Sequence, residues 1–145
     1  TPFVPKAHTP FQRMAQTPAK VVRRRIAYVK RHLRRRGVAV KSESPAWSEV
    51  QGTLARGDRR LAAALVAVEQ PSPANWRKAL AEIGQPLAES LRQRPAGEPL
   101  PWDFVQSGVQ AAYLEREAAR AQQGRTTPPC PPTACAACGV CIPEA

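Results

Sequence analysis

The stretch "AKVVRRRIAYVKRHLRRRG", residues 19–37, decides the fold class. Val22, Ile26, Val29 and Leu33 recur at steps of four, three and four residues, which aligns them as one apolar stripe on a helix. Arg23, Arg24, Arg25, Lys30, Arg31, Arg34, Arg35 and Arg36 cover most of the remaining surface. Thr17 is placed to cap this helix, with Pro18 at its first position. Gly37 is placed to stop it, and the cations near its C-terminus suit the helix dipole.

Working outward, "TPFVPKAHTPFQ" (residues 1–12) reads as a short strand at Phe3–Val4 running into an extended, proline-bracketed loop. "VAV" (38–40) reads as a second short strand. Pro45 breaks the chain, and a helix is expected from about Ser48 to Arg56, carrying Trp47, Val50 and Leu54 on or beside it. Gly57 ends it and Asp58 is placed to cap the next, whose Leu61, Leu65, Val66 and Val68 are expected to face a core. Ser72-Pro73 opens another helix with Trp76, Leu80 and Ile83, closed by Gly84. "RPAGEPLPWD" (94–103) is a rigid loop, with Asp103 read as an N-cap. A last helix carries Val109, Tyr113 and Leu114 and ends near Gly124. The class is therefore mainly α, α+β, with strand at the N-terminus and an irregular cysteine-rich tail. The divisions fall at 1–42, 43–124 and 125–145.

The 145 residues fit one ordinary domain or less, with sixteen prolines against long uninterrupted elements. No internal repeat, transmembrane run or secretory signal is present, so the reading is cytoplasmic with no membrane partner. The first residue is Thr1, which suggests a processed chain or a slice of a longer one. The net charge of +11 is uneven. Up to Ser42 there are twelve Lys and Arg and no acid, whereas beyond it ten bases nearly balance eleven acids. Such concentration points to an anionic partner, RNA or another polyanion, or to a solvated helix face. Of aromatic residues able to stack on bases, the helix offers Tyr28, with His32 beside it.

All four cysteines lie in "PPCPPTACAACGVC" (128–141), at Cys130, Cys135, Cys138 and Cys141. The spacing C-x4-C-x2-C-x2-C lets one loop turn its thiolates toward one metal atom or cluster. Cys130 returns as the fourth ligand across Pro131-Pro132, and Gly139 relieves the backbone where the loop curls. "CAACGVCIP" is similar to half of a bacterial ferredoxin motif, except that its fourth cysteine comes before the run. Structural zinc is the competing reading. Disulfides or free thiols in a frayed tail are the plainer ones, and a non-secreted chain weighs against disulfides. The chain has no P-loop, no G-x-G-x-x-G, no H-E-x-x-H and no G-x-S-x-G.

Four stretches in order, "FVPKAHTPFQ", "LARGDRRLA", "LPWDFVQSGV" and "CAACGVC", resemble the C-terminal third of radical SAM proteins of the cobalamin-binding type. The resemblance spans essentially the whole chain. It implies that residues 1–12 are the last barrel strand and the loop leaving it, with Lys6, His8 and Gln12 toward the substrate. It implies that the basic helix packs on the barrel exterior through its apolar stripe, and that the Trp76 and Trp102 segments form a helical appendage. It implies that the cysteine tail is an auxiliary metal site, [4Fe–4S] or zinc, or a cap. S-adenosylmethionine and cobalamin would belong to the parent enzyme, whose remaining domains would be the partners. The C-x3-C-x2-C motif that binds the catalytic cluster is absent, as is a cobalamin-binding histidine motif. The stretch between "RGDRR" and "NWRKAL" is shorter than the family pattern. The chain is thus expected not to be catalytic alone. The alternative is a small basic nucleic-acid-binding module with a structural zinc.

Overall fold

The computed structural model describes residues 1–131 and 135–141. Among the described residues there are six helices and no strand. They are α1 (Ala19–Arg34), α2 (Pro45–Arg56), α3 (Leu61–Ala67), α4 (Pro73–Glu82), α5 (Leu87–Leu91) and α6 (Ala111–Gln122). The mainly α class holds. The strands expected at Phe3–Val4 and Val38–Val40 do not form, and with them goes the expected final barrel strand. Pro2 and Pro5 bracket Phe3–Val4, and each lacks the N–H a ladder requires. Phe3 instead sets its ring edge-on to Phe11, 5.4 Å away.

α1 starts one residue later than expected. Pro18 holds the N-cap position, and the Ala19 N–H donates to Glu49 Oε1 of α2 at 2.7 Å. The stop is as expected: Gly37 takes φ +74°, and the Gly37 and Val38 N–H groups donate to the carbonyls of Arg34 and Leu33, each at 3.1 Å. That geometry closes the helix and turns residues 38–40 back along it. The stripe is only partly covered, with Val22, Ile26 and Leu33 half-buried and Val29 exposed.

α2 begins at Pro45, earlier than expected, because proline fits the first helical turn. It is the hub of the fold, packing against α1, α4 and α5. The core joins Val50 of α2, Leu61 and Ala64 of α3, and Trp76, Ala79 and Leu80 of α4, with Leu54, Val68, Ile83 and Leu87 around them. Leu65 and Val66 do not face it; they are 57 % and 85 % exposed. α3 has only seven residues, and Leu61 and Ala64, one turn apart, use up its inner face. Asp58 accepts the Arg60 N–H at 2.9 Å and leaves the N-cap position to Arg60. Ser72 caps α4 as expected, accepting the Asn75 N–H at 3.1 Å, and Gly84 closes that helix at φ +68°. α6 buries Leu114 and ends before Gly124, also at φ +68°.

Two extended segments far apart in sequence are knitted together. The Gln16 N–H donates to the Leu91 carbonyl and the Arg94 N–H to the Arg13 carbonyl, both at 2.9 Å. Arginines tighten this seam. Arg56, fully buried, donates from Nη1 to the Met14 carbonyl at 2.9 Å and from Nη2 to the Arg92 carbonyl at 3.1 Å. Burial, then the charges of Arg94 and Arg92, hold its pKa down to about 10. Arg92 grips Glu98 through two bonds of 2.8 and 2.6 Å, and Arg94 donates to the same carboxylate at 3.0 Å. The carboxyl of Glu98 is thereby held below the usual carboxylate range, chiefly by the Arg92 hydrogen bond. Gly52 allows α2 to sit against the seam: a Cβ there would run into Gln16 Oε1 and lie 2.8 Å from Leu91 Cδ2.

Candidate functional site

The cysteine loop is seated on α6. The Gln110 N–H donates to the Cys138 carbonyl at 2.8 Å, and Arg116 Nη2 donates to the Ala137 carbonyl at 2.9 Å. Gly139 makes the approach possible: its φ is +92°, and a Cβ on it would lie 2.8 Å from Gln110 Cγ. Upstream, Arg120 Nη2 donates to the Thr126 carbonyl at 3.0 Å and Thr127 Oγ1 donates to Glu117, so the segment leaving α6 is tied back to it. The phenol of Tyr113 is pushed up by burial, then by Glu117, Cys138 and Cys130.

All four cysteines are free thiols, Cys135 and Cys138 half-buried, Cys130 and Cys141 exposed. The Ala137 N–H points at Cys135 Sγ at 3.4 Å. Among the described residues no three His, Cys, Asp or Glu side chains converge to hold a metal ion. The expected passage across Pro131-Pro132 lies partly outside the described residues. What the described residues show is two half-buried thiols, Cys135 and Cys138, a backbone N–H aimed at the first, and a left-handed glycine at the bend.

Lys6, His8 and Gln12 share the N-terminal loop but are put to different uses. Gln12 Oε1 accepts from Trp102 Nε1 at 2.8 Å and from the His8 N–H at 3.1 Å, which latches this loop to the "LPWD" turn. His8 has φ +53°, and among the described residues its Nε2 is buried without a hydrogen-bond partner. Lys6 borders a separate cleft of about 870 Å³ between Trp47 and Trp76. Asp103 accepts the Leu100 N–H at 2.7 Å, closing a turn, and caps no helix.

On α1 and the turn that ends it, Arg23, Arg24, Arg25, Lys30, Arg31, Arg34, Arg35 and Arg36 are all exposed. Among the described residues none of them enters an ion pair. Glu49, the acid at the foot of α1, is committed to the Ala19 N–H and to Arg77 at 3.2 Å. Charge counting on the sequence reaches this face correctly. It does not reach the seam arginines, because Arg56 looks like any helix-terminal arginine until residues 14 and 92 are folded against it.

Among the described residues no helix is long and apolar enough to cross a membrane. No family model matches the chain, and no curated protein or solved structure matches it either.

Proposed function

We propose that the chain is a C-terminal accessory region of a radical SAM enzyme of the cobalamin-binding type, not catalytic alone, whose cysteine loop carries an auxiliary metal centre. The carrying observation is that every thiol of the chain sits in one loop anchored to α6 by main-chain and Arg116 hydrogen bonds. Cys130, Cys135, Cys138 and Cys141 would hold a [4Fe–4S] cluster, with zinc as the competing occupant. A cluster supplies a reservoir for one electron. The four thiols would hold it, with the Ala137 N–H directed at Cys135 Sγ and the stacked Tyr113–Arg116 pair on the helix that seats the loop.

The half-covered stripe of α1 supports a place against a larger body, since Val22, Ile26 and Val29 together border an open apolar cleft of about 320 Å³. The partners in this reading are the radical SAM and cobalamin-binding domains, which would supply S-adenosylmethionine and cobalamin. A reducing, cytoplasmic setting is part of this reading, since a centre held by four thiolates needs its cysteines unpaired.

The test is metal content and a visible spectrum on protein purified without oxygen. The expected result is iron and acid-labile sulfide near about four per chain, with broad absorbance around 400 nm that is lost in Cys138→Ser. One zinc per chain and no colour would reject the cluster. No metal at all would reject the centre.

A further inference from the structure

The C-terminal half of α1 builds a groove that the enzyme reading leaves unused. Because Gly37 turns the chain back, Val38 and Val40 join Lys30, Arg31, Arg34 and Arg35 in lining one open cleft of about 640 Å³. Next to it stands an aromatic pair. The rings of Tyr28 and His32 lie 4.0 Å apart at 34°, fixed by a 2.9 Å contact between His32 Nδ1 and the Tyr28 carbonyl. Tyr28 is 57 % exposed. Arg31 belongs to both features, with its guanidinium carbon 5.9 Å from the Tyr28 ring centroid.

A solvated cationic face would need neither a valine-lined cleft nor an open aromatic pair at its edge. Four uncompensated cations sharing a cleft with two valines suit a chain of phosphates whose sugars lie against the valines. An exposed aromatic pair flanked by a guanidinium suits an unpaired base. RNA loops and ends present unpaired bases routinely, whereas duplex DNA keeps base faces inside the stack. An anionic membrane would meet the cations, but its headgroups offer no flat face to stack on the aromatic pair.

We propose that this groove binds single-stranded RNA, with phosphates on Lys30, Arg31, Arg34 and Arg35 and a base stacked on the Tyr28–His32 pair. The proposal does not rest on the metal centre.

The experiment is fluorescence anisotropy of a labelled twelve-nucleotide oligouridylate titrated with the full chain. About four phosphate contacts give a slope near −3 in log K against log salt, so raising salt fourfold weakens binding about fifty-fold. Tyr28→Ala is expected to weaken binding about tenfold with that slope unchanged. Arg31→Glu with Arg35→Glu is expected to weaken it more and to flatten the slope. These side chains are exposed, and matched melting curves check that each variant is folded. Equal binding by Tyr28→Ala and the parent would overturn the proposal. So would duplex or single-stranded DNA of the same sequence binding as tightly as the RNA, or phosphatidylserine vesicles binding more tightly.

Discussion

Replacing Arg56 with methionine tests the seam directly. Methionine keeps much of the volume and removes the charge, and buried ion pairs exchanged for well-packed apolar groups are often neutral or stabilising. Arg56 differs because its partners are not carboxylates but the main-chain carbonyls of Met14 and Arg92. Those carbonyls remain after the exchange. Each buried acceptor left without a donor costs about 1–3 kcal/mol, and relief of the guanidinium's own burial returns part of that sum. The expected net loss is about 3 kcal/mol, a large share of the roughly 5–15 kcal/mol available to a domain. With an m-value of about 2 kcal/mol per molar urea, the unfolding midpoint falls by about 1.5 M. Arg56→Lys keeps the charge and can serve one carbonyl, so it should fall between. The assay is urea unfolding followed by circular dichroism and tryptophan fluorescence, since Trp102 is tied to the N-terminal loop through Gln12. A methionine variant at least as stable as the parent would refute the reasoning, because the carbonyls would then be satisfied without the guanidinium.

Gly52→Ala should destabilise despite alanine's better helix propensity: overpacking against Gln16 and Leu91 outweighs that gain by about 1–2 kcal/mol, a fall of about 3–8 °C in Tm. A rise in Tm would show that the seam gives way freely. Glu98 supplies a pH signature. Its carboxyl is held low in the folded state, so below the ordinary value the unfolded chain binds more protons, and stability rises with pH there. Its contribution is complete above about pH 4.3 and is lost as pH falls further. Glu98→Gln should therefore be less stable than the parent at neutral pH, with the gap closing toward pH 2. A gap that stays constant across acid titration would contradict the assignment.

Local chemistry was legible where one segment carried it. The 4-3-4 stripe located α1, Ser72-Pro73 located the start of α4, and Gly37, Gly84 and Gly124 marked helix ends. The failures involve partners distant in sequence. Ala19 finds its acceptor on Glu49, thirty residues away, so Thr17 is not needed as a cap. Phe3–Val4 has strand-forming side chains but no neighbour to pair with, and prolines remove its donors. Leu65 and Val66 look like core residues by type, yet a seven-residue helix can turn only one short face inward. The cysteine spacing marks the loop, while its seat on α6 depends on Gln110 and Arg116, which carry no motif.

The seam also sets an order of events. Arg13 reaches the carbonyls of Pro95 and Glu98 across 82 and 85 residues of chain. Closing a loop of that length costs on the order of 4 kcal/mol of chain entropy before any contact repays it. During synthesis the first sixteen residues emerge long before residues 91–98, and Arg56 has neither carbonyl partner fully in place until both arrive. The helices around α2 can collapse locally in the meantime. The N-terminal loop, and α1 leaving directly from it with α2 as its helical neighbour, are completed only when the far side of the seam is made. On loop entropy, the closing of this ring is expected to be slower than the building of the core it encloses.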